Sequence, residues 1–486
     1  MVPKILIVIP NRSKFVTAWC YENAFRLISE GNRVEILDLA KYELRYFGNN
    51  LYWFYDNNLL EKNDIRKTVV RELKKVGVIF LKPNEILTDL NATTLKESDV
   101  SYFNAMIRSA YAWHYGSSKF EHDLLSKKLL DRERKNFAFI LNNLRVFLRN
   151  KVYDHLYTIN GRTQIDSCVV RCAQELNIEY SLIEKTSYNW KYYSVHRKAP
   201  QDIDELAEKI SMNYKLMQKN LSQFELDEMA EKYFAVRLGG FSENPWENLH
   251  THKLETDLDY SEHAVFYTGS DYEFAIEDSI AHGKMSFTDE SNFFQQANNS
   301  LNQVHAFKTL LHECRKLQMK LLVRIHPHPK ESHLHETDGK LWEQICLENG
   351  VDFISSDDET DSIEIAKQAK VNIVFRSSIA MKIAFLKLPC IILGKTEFNS
   401  LVPTLCVSSK DDLVKLLRKP QIVNPSSITP WALYMAFGEV KIKYFEFFSE
   451  QKILYRELEI NKKTKFGTIL SNFILRFKPK ISLFKQ

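Results

Sequence analysis

The chain has 486 residues, of which 44% are hydrophobic and 26% are charged. This is the composition of an ordinary globular protein, and the length predicts two domains because one hydrophobic core of this size would be unusually large. The formal net charge of +4 argues against extensive nucleic-acid binding, so we expect no nucleic-acid partner.

The chain opens with a strand–helix–strand pattern. Apolar runs at 4–9 and 34–39, separated by a helix at about 18–30, predict a buried parallel unit. The glycine fingerprint of NAD-binding folds is absent. The first run is too short for a signal peptide, and no apolar run reaches the roughly 18 residues of a membrane span. We therefore expect a cytoplasmic protein.

A helical insertion is predicted at about 56–150, which is polar and rich in aromatic residues. Alternation then resumes with a strand at 153–159, a helix at 165–177 and a strand at 180–183 that ends in Glu184. Strands and helices that alternate in this way predict a parallel sheet with right-handed crossovers.

A long helical stretch at 202–236 leads to the clearest break in the chain, the glycine- and proline-containing segment 238–245. We therefore assign the first domain to 1–240 and the second to 246–425. The pattern predicts an α/β fold in which two Rossmann-like domains face a cleft. The predicted elements of the second domain are strands at 264–267, 320–325, 352–354, 371–375 and 390–393, and helices at 297–317, 339–349, 361–369 and 379–386.

The last residues, 426–486, are predicted to form a helical C-terminal segment. Its end, 461–486, carries seven Lys and Arg residues, no acidic residue, and apolar residues at helical spacing. A basic amphipathic segment of this kind is typical of an interfacial membrane anchor. The alternative is a terminal helix that packs back on the N-terminal domain.

Polar residues follow two strands of the second domain. Arg324, His326 and Pro327 end the strand at 320–325, and Ser377 and Ser378 follow the strand at 371–375. Ligands of open α/β sheets bind at the carboxyl ends of strands, where helix N-termini direct free N–H groups at anions. We therefore predict a pocket for a phosphorylated ligand. The alternatives are a structural histidine and an ordinary helix N-cap.

No metal site is expected. The acidic run at 357–361 is interpreted as a solvated loop and helix N-cap, and four histidines in an earlier, proline-interrupted loop lack a fixed ligand spacing. These histidines are His326, His328, His333 and His335.

Several short motifs occur in one order along the chain. They are Asn160-Gly161-Arg162, Glu184 after a strand, Thr268-Gly269-Ser270-Asp271-Tyr272-Glu273-Phe274, Gln295-Gln296, Arg324-Ile325-His326-Pro327, Ser377-Ser378, Pro389 and Leu393-Gly394. In order and spacing they resemble bacterial surface-polysaccharide glycosyltransferases of the GT-B type, with the capsule-synthesis and sialyltransferase-like groups nearest. The resemblance covers roughly residues 150–440 and, more loosely, the first 40.

The resemblance implies a role for each motif. His326-Pro327 and Ser377-Ser378 would hold the nucleotide of an activated sugar, and Glu184 would be the catalytic base. The remaining donor-site candidates are Arg324, Lys382, Thr268 and Ser270, and the acceptor or cleft candidates are Asn160, Arg162, Asp271 and Glu273.

The chain departs from the family pattern at two places. Related enzymes continue with a second acid and a glycine after the first acid, whereas this chain has Lys185 and Thr186. Related proteins also carry a glutamate, often on the donor ribose, where this chain has Lys382. A lysine cannot accept hydrogen bonds from ribose hydroxyls. Donor recognition therefore differs, or activity is lost.

We therefore predict a metal-independent, inverting glycosyltransferase without a cofactor. It would transfer a sugar from a CMP- or UDP-sugar type of donor to an oligosaccharide or lipid-linked acceptor of a capsule or lipopolysaccharide. It would act in the cytoplasm, at the inner leaflet of the cytoplasmic membrane. Two alternatives stay open: a catalytically degenerate GT-B scaffold in a polysaccharide assembly complex, and a polyol-phosphate transferase of the teichoic-acid type.

Overall fold

Two α/β sheets, each covered by helices, organise the part of the chain that the computed structural model describes. The predicted fold class, α/β with two Rossmann-like domains, is confirmed. The described residues are 2–11, 14–42, 65–115, 127–185, 192–198, 200, 202–238, 259–269, 300–327, 338–449 and 452–455.

The first sheet has seven strands. They are β1 (Lys4–Ile9), β2 (Arg33–Asp38), β3 (Ile79–Leu81), β4 (His155–Ile159), β5 (Glu179–Lys185), β6 (Tyr192–His196) and β12 (Val440–Lys441). Their spatial order is β12-β6-β5-β4-β1-β2-β3. The neighbours from β5 to β3 pair in parallel, while β6 and β12 pair antiparallel at one edge.

Helices cover both faces of this sheet, and the central strand β1 is apolar on both sides. Ile5 and Ile7 pack with residues of the first helix, whereas Leu6 and Val8 pack with those of the helices before and after β4. Successive strand residues point to opposite faces, so an unbroken apolar run is the expected pattern for a doubly covered strand. The helices are α1 (Lys14–Ser29), α2 (Ile65–Lys75), α3 (Pro83–Ile86), α4 (Glu97–Tyr115), α5 (Lys127–Asn150) and α6 (Gln164–Leu176).

Within the expected helical insertion at 56–150, the described residues 65–115 and 127–150 form four helices and also contribute β3. This three-residue strand pairs in parallel with β2 and forms the sheet edge. The sequence analysis missed β3 because three residues are too few to show a strand pattern. Only the pairing with β2 defines it as a strand.

The second sheet has five parallel strands in the order β11-β10-β7-β8-β9. They are β7 (His263–Tyr267), β8 (Lys320–Arg324), β9 (Asp352–Ile354), β10 (Val371–Val374) and β11 (Cys390–Ile392). The helices that follow α6 in the chain are α7 (Ile203–Met217), α8 (Gln223–Leu238), α9 (Ser300–Lys316), α10 (Lys340–Asn349), α11 (Ser362–Gln368), α12 (Ile379–Phe385), α13 (Lys410–Arg418) and α14 (Thr429–Phe437).

Helices α7 and α8 pack on the second sheet, although the expected boundary at 240 groups them with the first. Phe234 of α8 stacks on Phe385, with ring centroids 4.4 Å apart, and on Trp431 of α14 at 6.2 Å. Ile210 of α7 belongs to the same apolar core. The long helical stretch expected at 202–236 is therefore two helices, and both cover the second sheet.

The C-terminal segment returns to the first sheet instead of continuing as helix. After α14, β12 pairs antiparallel with β6. The buried carboxylate of Glu22 on α1 then accepts hydrogen bonds from the backbone N–H groups of Lys443 (2.7 Å) and Tyr444 (2.8 Å). A hairpin of β13 (Phe445–Ser449) and β14 (Lys452–Tyr455) follows. The expected basic anchor at 461–486 lies outside the described residues.

The chain passes between the two sheets twice, and polar contacts join the two passages. Glu439 accepts hydrogen bonds from the backbone N–H of Val195 at 2.8 Å and from Lys209 at 2.5 Å. Within the first passage, Glu205 accepts from the backbone N–H groups of Arg197 (2.6 Å) and Lys198 (2.7 Å). Among the described residues, no helix combines the length and the apolar character needed to cross a membrane.

Candidate functional site at the carboxyl ends of the two sheets

Each sheet reverses its strand order once. In the first sheet β1 lies between β2 and β4, and in the second β7 lies between β8 and β10. The crevice outside the carboxyl ends of strands at such a reversal is where open α/β sheets bind ligands. The residues that follow β4, β5, β8 and β10 are therefore the ones to examine.

The turn after β4 is held in an unusual backbone conformation. Asn160 and Gly161 both have positive φ, 54° and 83°. A Cβ on Gly161 would lie 2.7 Å from the Cδ1 of Leu182, and a φ of 83° strains other residues, so both features favour glycine there. The backbone N–H of Asn160 donates to the carbonyl of Ile183 at 3.2 Å, which ties the turn to β5.

This turn brings Asn160 to Glu184. The Nδ2 of Asn160 donates to the Oε2 of Glu184 at 2.5 Å. Glu184 lies near the end of β5 and is partly buried. Because an ionised carboxylate only accepts hydrogen bonds, the amide nitrogen must be the atom that faces it. The expected base and one expected acceptor-side residue are therefore in direct contact. Arg162, another expected acceptor-side residue, lies in the same turn and is partly buried.

Two buried carboxyl groups near this turn were not expected from the sequence. Asp166, in the first turn of α6, is fully buried and accepts from the Thr163 hydroxyl at 2.7 Å. Glu133 of α5 is buried and accepts from the amide of Gln164 at 3.2 Å. Burial raises the pKa of each carboxyl to about 7. The Thr-x-x-Asp spacing could have indicated Asp166 as a helix-cap residue. No sequence signal distinguishes Glu133 from its solvated neighbours.

These two carboxyl groups predict a pH dependence of stability. Each folded-state pKa, about 7, lies above the ordinary value of 3.8 or 4.5. The protonated form of each carboxyl group therefore stabilises the fold. This stabilisation is complete below the unfolded-state pKa of the group and is lost as the pH rises through its folded-state pKa, about 7. We expect the free energy of unfolding to fall by about 2 kcal/mol per group between about pH 5.5 and about pH 7.

Urea denaturation across this pH range measures the effect. Asp166→Asn should remove about half of the combined slope of the two groups, because the amide does not titrate. Asp131→Asn, at an exposed position of α5, is the matched control and should keep the wild-type slope. A wild-type slope in Asp166→Asn would contradict the prediction.

In the second sheet, Thr268 joins the ends of β7 and β8. Its hydroxyl accepts from the backbone N–H of His326 at 2.8 Å, and its own N–H donates to the carbonyl of Arg324 at 3.1 Å. The following Gly269 is held by buried Gln303, which accepts from its N–H at 2.6 Å and donates to its carbonyl at 3.3 Å. Paired polar contacts thus fix the backbone after β7, where the strand order of the second sheet reverses.

Arg324, expected in the donor site, directs its guanidinium into the fold. Its side chain is 1% exposed, and its Nε donates to the Ser362 hydroxyl at 3.2 Å. Nη1 donates to the carbonyl of Ser355, and Nη2 donates to those of Asp358 (3.0 Å) and Thr360 (3.1 Å). The three guanidinium nitrogens therefore hold the segment 355–362, which contains the acidic loop expected at 357–361. The expected N-cap in this loop is present, since Asp361 accepts from the N–H of Ile363 at 2.7 Å.

His326 is a neutral group at neutral pH. Burial of its ring and the nearby charge of Arg324 lower the pKa of the imidazole to about 4. His326 can therefore offer a hydrogen-bond donor or acceptor to a ligand but no positive charge at neutral pH. Pro327 follows it and is partly buried.

The serine pair follows β10 on the other side of β7. The Oγ of Ser377 accepts from the N–H of Ile379 at 3.4 Å, and Ser378 is exposed. Lys382 on α12 lies near Asp361 and partly offsets the effect of burial, which raises the pKa of that carboxyl. Ser270, Asp271 and Glu273 lie outside the described residues.

His326 and Ser377 both lie beyond the carboxyl ends of their strands, at the same end of the sheet. Tyr267 at the end of β7 pairs with Arg324 on one side and with Val374 on the other. Two strand spacings, roughly 10 Å, therefore separate the residues that follow β8 and β10. This span is comparable to the length of a nucleotide.

No protein-family model matches the chain, and no curated protein matches it. Solved structures show distant likenesses. The KpsC beta Kdo 2,4 transferase of Thermosulfurimonas dismutans is 13% identical, with a TM-score of 0.39, 58% of this chain covered and 79% of that chain. The UDP-GlcNAc 2-epimerase of Methanocaldococcus jannaschii is 11% identical, with a TM-score of 0.27, and the match covers 90% of this chain and 100% of that chain. The sucrose-phosphate synthase of Thermosynechococcus elongatus is 11% identical, with a TM-score of 0.29, and the match covers 90% of this chain and 95% of that chain.

Proposed function

We propose that the protein is a metal-independent, inverting glycosyltransferase that uses a nucleotide-activated sugar of the CMP- or UDP-linked kind. The observation that carries this proposal is the different chemistry at the carboxyl ends of the two sheets. The first sheet offers a carboxylate, Glu184, held by an amide. The second offers neutral hydrogen-bonding groups, His326 and Ser377, on either side of β7.

The donor side of the proposal assigns the nucleotide to the second sheet. Hydroxyl and imidazole groups at the ends of β8 and β10, together with backbone N–H groups, would bind the phosphate and stabilise the negative charge that develops on it as the sugar leaves. Lys382 would add a positive charge on the same side, next to Asp361. Arg324 has no part in this donor site, because its donors are used within the fold.

In the proposed transfer, Glu184 accepts the proton of an acceptor hydroxyl. The oxygen of that hydroxyl forms a bond to the anomeric carbon as the bond from this carbon to the phosphate oxygen breaks. The electron pair of the broken bond stays on the nucleotide phosphate, which leaves. Attack from the face opposite the nucleotide inverts the configuration of the sugar.

The proposed acceptor is an oligosaccharide or lipid-linked chain of a capsule or lipopolysaccharide. A peripheral position on an anionic membrane would suit such an acceptor, and the seven basic residues of 461–486 favour it. Sedimentation with anionic vesicles, which raised salt should prevent, tests this part of the proposal.

Nucleotide binding tests the proposal as a whole. Thermal unfolding would be followed with CMP, UDP, GDP, TDP and CDP at millimolar concentration. At least one nucleotide should stabilise the fold, by about 2.7 kcal/mol at a hundredfold excess over Kd. His326→Ala should lose this stabilisation and unfold near the wild-type temperature without ligand, since the contact to Thr268 is made by the backbone N–H.

The matched control is His312→Ala, which removes an exposed imidazole from α9 and should respond to nucleotide as the wild type does. If no nucleotide raises the unfolding temperature of the wild type, the proposal is wrong.

A further inference from the structure

The side-chain oxygen of Asn160, Oδ1, has a position that the fold does not explain. The nitrogen of the same amide, Nδ2, contacts Glu184. Oδ1 is buried from solvent and has no hydrogen-bond partner among the described residues. A buried acceptor without a donor costs about 1–3 kcal/mol, and in native structures such atoms are few. A ligand that donates to this oxygen would recover that cost.

The backbone around Asn160 fixes the position of its side chain. The residue adopts a left-handed conformation, φ 54°, which asparagine tolerates better than most residues other than glycine. Its N–H is bound to β5, and Gly161 next to it packs directly on Leu182. These contacts hold the amide in one orientation, with the nitrogen toward Glu184 and the oxygen away from it.

We infer that Asn160 positions the carboxylate of Glu184 and also selects the acceptor, by accepting a hydrogen bond from a second acceptor hydroxyl through Oδ1. This inference rests on the proposed function. The Nδ2 of the amide contacts the Oε2 of Glu184 at 2.5 Å, so the Oδ1 of the same amide lies within about 5 Å of that carboxylate oxygen. Adjacent hydroxyls of a sugar ring, roughly 3 Å apart, can reach both acceptors with ordinary hydrogen bonds. The site therefore takes a vicinal diol: one hydroxyl attacks the donor, and its neighbour is bound by Asn160.

Saturation-transfer NMR with simple glycosides tests the inference. The probes are the methyl glycosides of galactose, glucose, mannose and rhamnose, followed by monodeoxy analogues of the glycoside that binds best. The proteins are the wild type and Asn160→Gly, which removes the amide while keeping a residue that tolerates positive φ. Asn177→Gly is the matched control, because Asn177 is an exposed asparagine with nearly the same φ, 51°, at the other end of α6.

We expect at least one glycoside to bind the wild type and Asn177→Gly equally, and Asn160→Gly about tenfold more weakly. One monodeoxy analogue should bind the wild type about tenfold more weakly than its parent, yet bind Asn160→Gly as well as the parent does. A purely structural role of Asn160 would weaken both sugars alike. Equal binding of the parent glycoside by the wild type and Asn160→Gly, or no glycoside binding at all, overturns the inference.

The nucleotide measurements on the same preparations separate this inference from the proposed function. Nucleotide stabilisation without glycoside binding would overturn the diol site and leave the transferase proposal in place. Glycoside binding that depends on Asn160, without any nucleotide effect, would overturn the transferase proposal and support the diol site.

Discussion

Arg324→Lys should lower the free energy of unfolding by about 3–5 kcal/mol, because at least two buried acceptors would lose their donor at about 1–3 kcal/mol each. The guanidinium of Arg324 is buried and donates to one hydroxyl and three backbone carbonyls. A lysine keeps the charge but has a single nitrogen with three donors, so it cannot reach all four acceptors. Urea denaturation at neutral pH measures the change.

Arg315→Lys is the control for this experiment. Arg315 also donates to a backbone carbonyl, that of Asn349 at 2.6 Å, but the contact is exposed, and we expect a change below about 1 kcal/mol. If Arg324→Lys folds with wild-type stability and instead loses nucleotide binding, Arg324 belongs to the donor site after all.

Glu184→Gln should reduce the rate of sugar transfer about 10²- to 10⁴-fold, which is the usual contribution of a general base. The amide has nearly the shape of the carboxylate and can still accept from Asn160, but it cannot take a proton from the acceptor. Nucleotide-induced stabilisation should be unchanged, because the donor is proposed to bind at the second sheet. The measurement is nucleotide release from the sugar conjugate of whichever nucleotide stabilises the fold.

Glu179→Gln, at the exposed start of the same strand, is the matched control and should keep wild-type turnover. Full turnover in Glu184→Gln would assign the base elsewhere, and Asp271 and Glu273 would be the next candidates.

The sequence predicted the strands that are buried on both faces. The apolar runs that became β1, β7 and β10 fall within a residue or two of their observed bounds. In the two large sheets it missed β3, β6 and β12, which lie at or next to the sheet edges, and it also missed the hairpin of β13 and β14. Two of them have only two or three residues. Such strands exist because a partner is present, and a partner distant in sequence leaves no local pattern.

The candidate site was predicted only in part, because local sequence shows which residues lie at strand ends but not what their side chains contact. Residues at the carboxyl ends of strands can be found from strand positions, and Asn160, Glu184, His326 and Ser377 all follow or end strands as expected. What a side chain contacts depends on the loop that packs over it. Arg324 has the same sequence context as a ligand-binding residue, and only the fold of the loop after β9 shows that its donors are already used.

The return of the chain to the first sheet has a consequence for its synthesis. Val195 of β6 meets Glu439 across 244 positions of sequence, and α1 contacts Lys443 across 421. A ribosome therefore delivers every residue of the second sheet before it delivers the last strand of the first. The domain that begins the protein is the last to be completed, and until then the edge of β6 and the carboxylate of Glu22 are exposed to other partners. Folding helpers that bind unpaired strand edges would have their longest opportunity on the N-terminal half of the nascent chain.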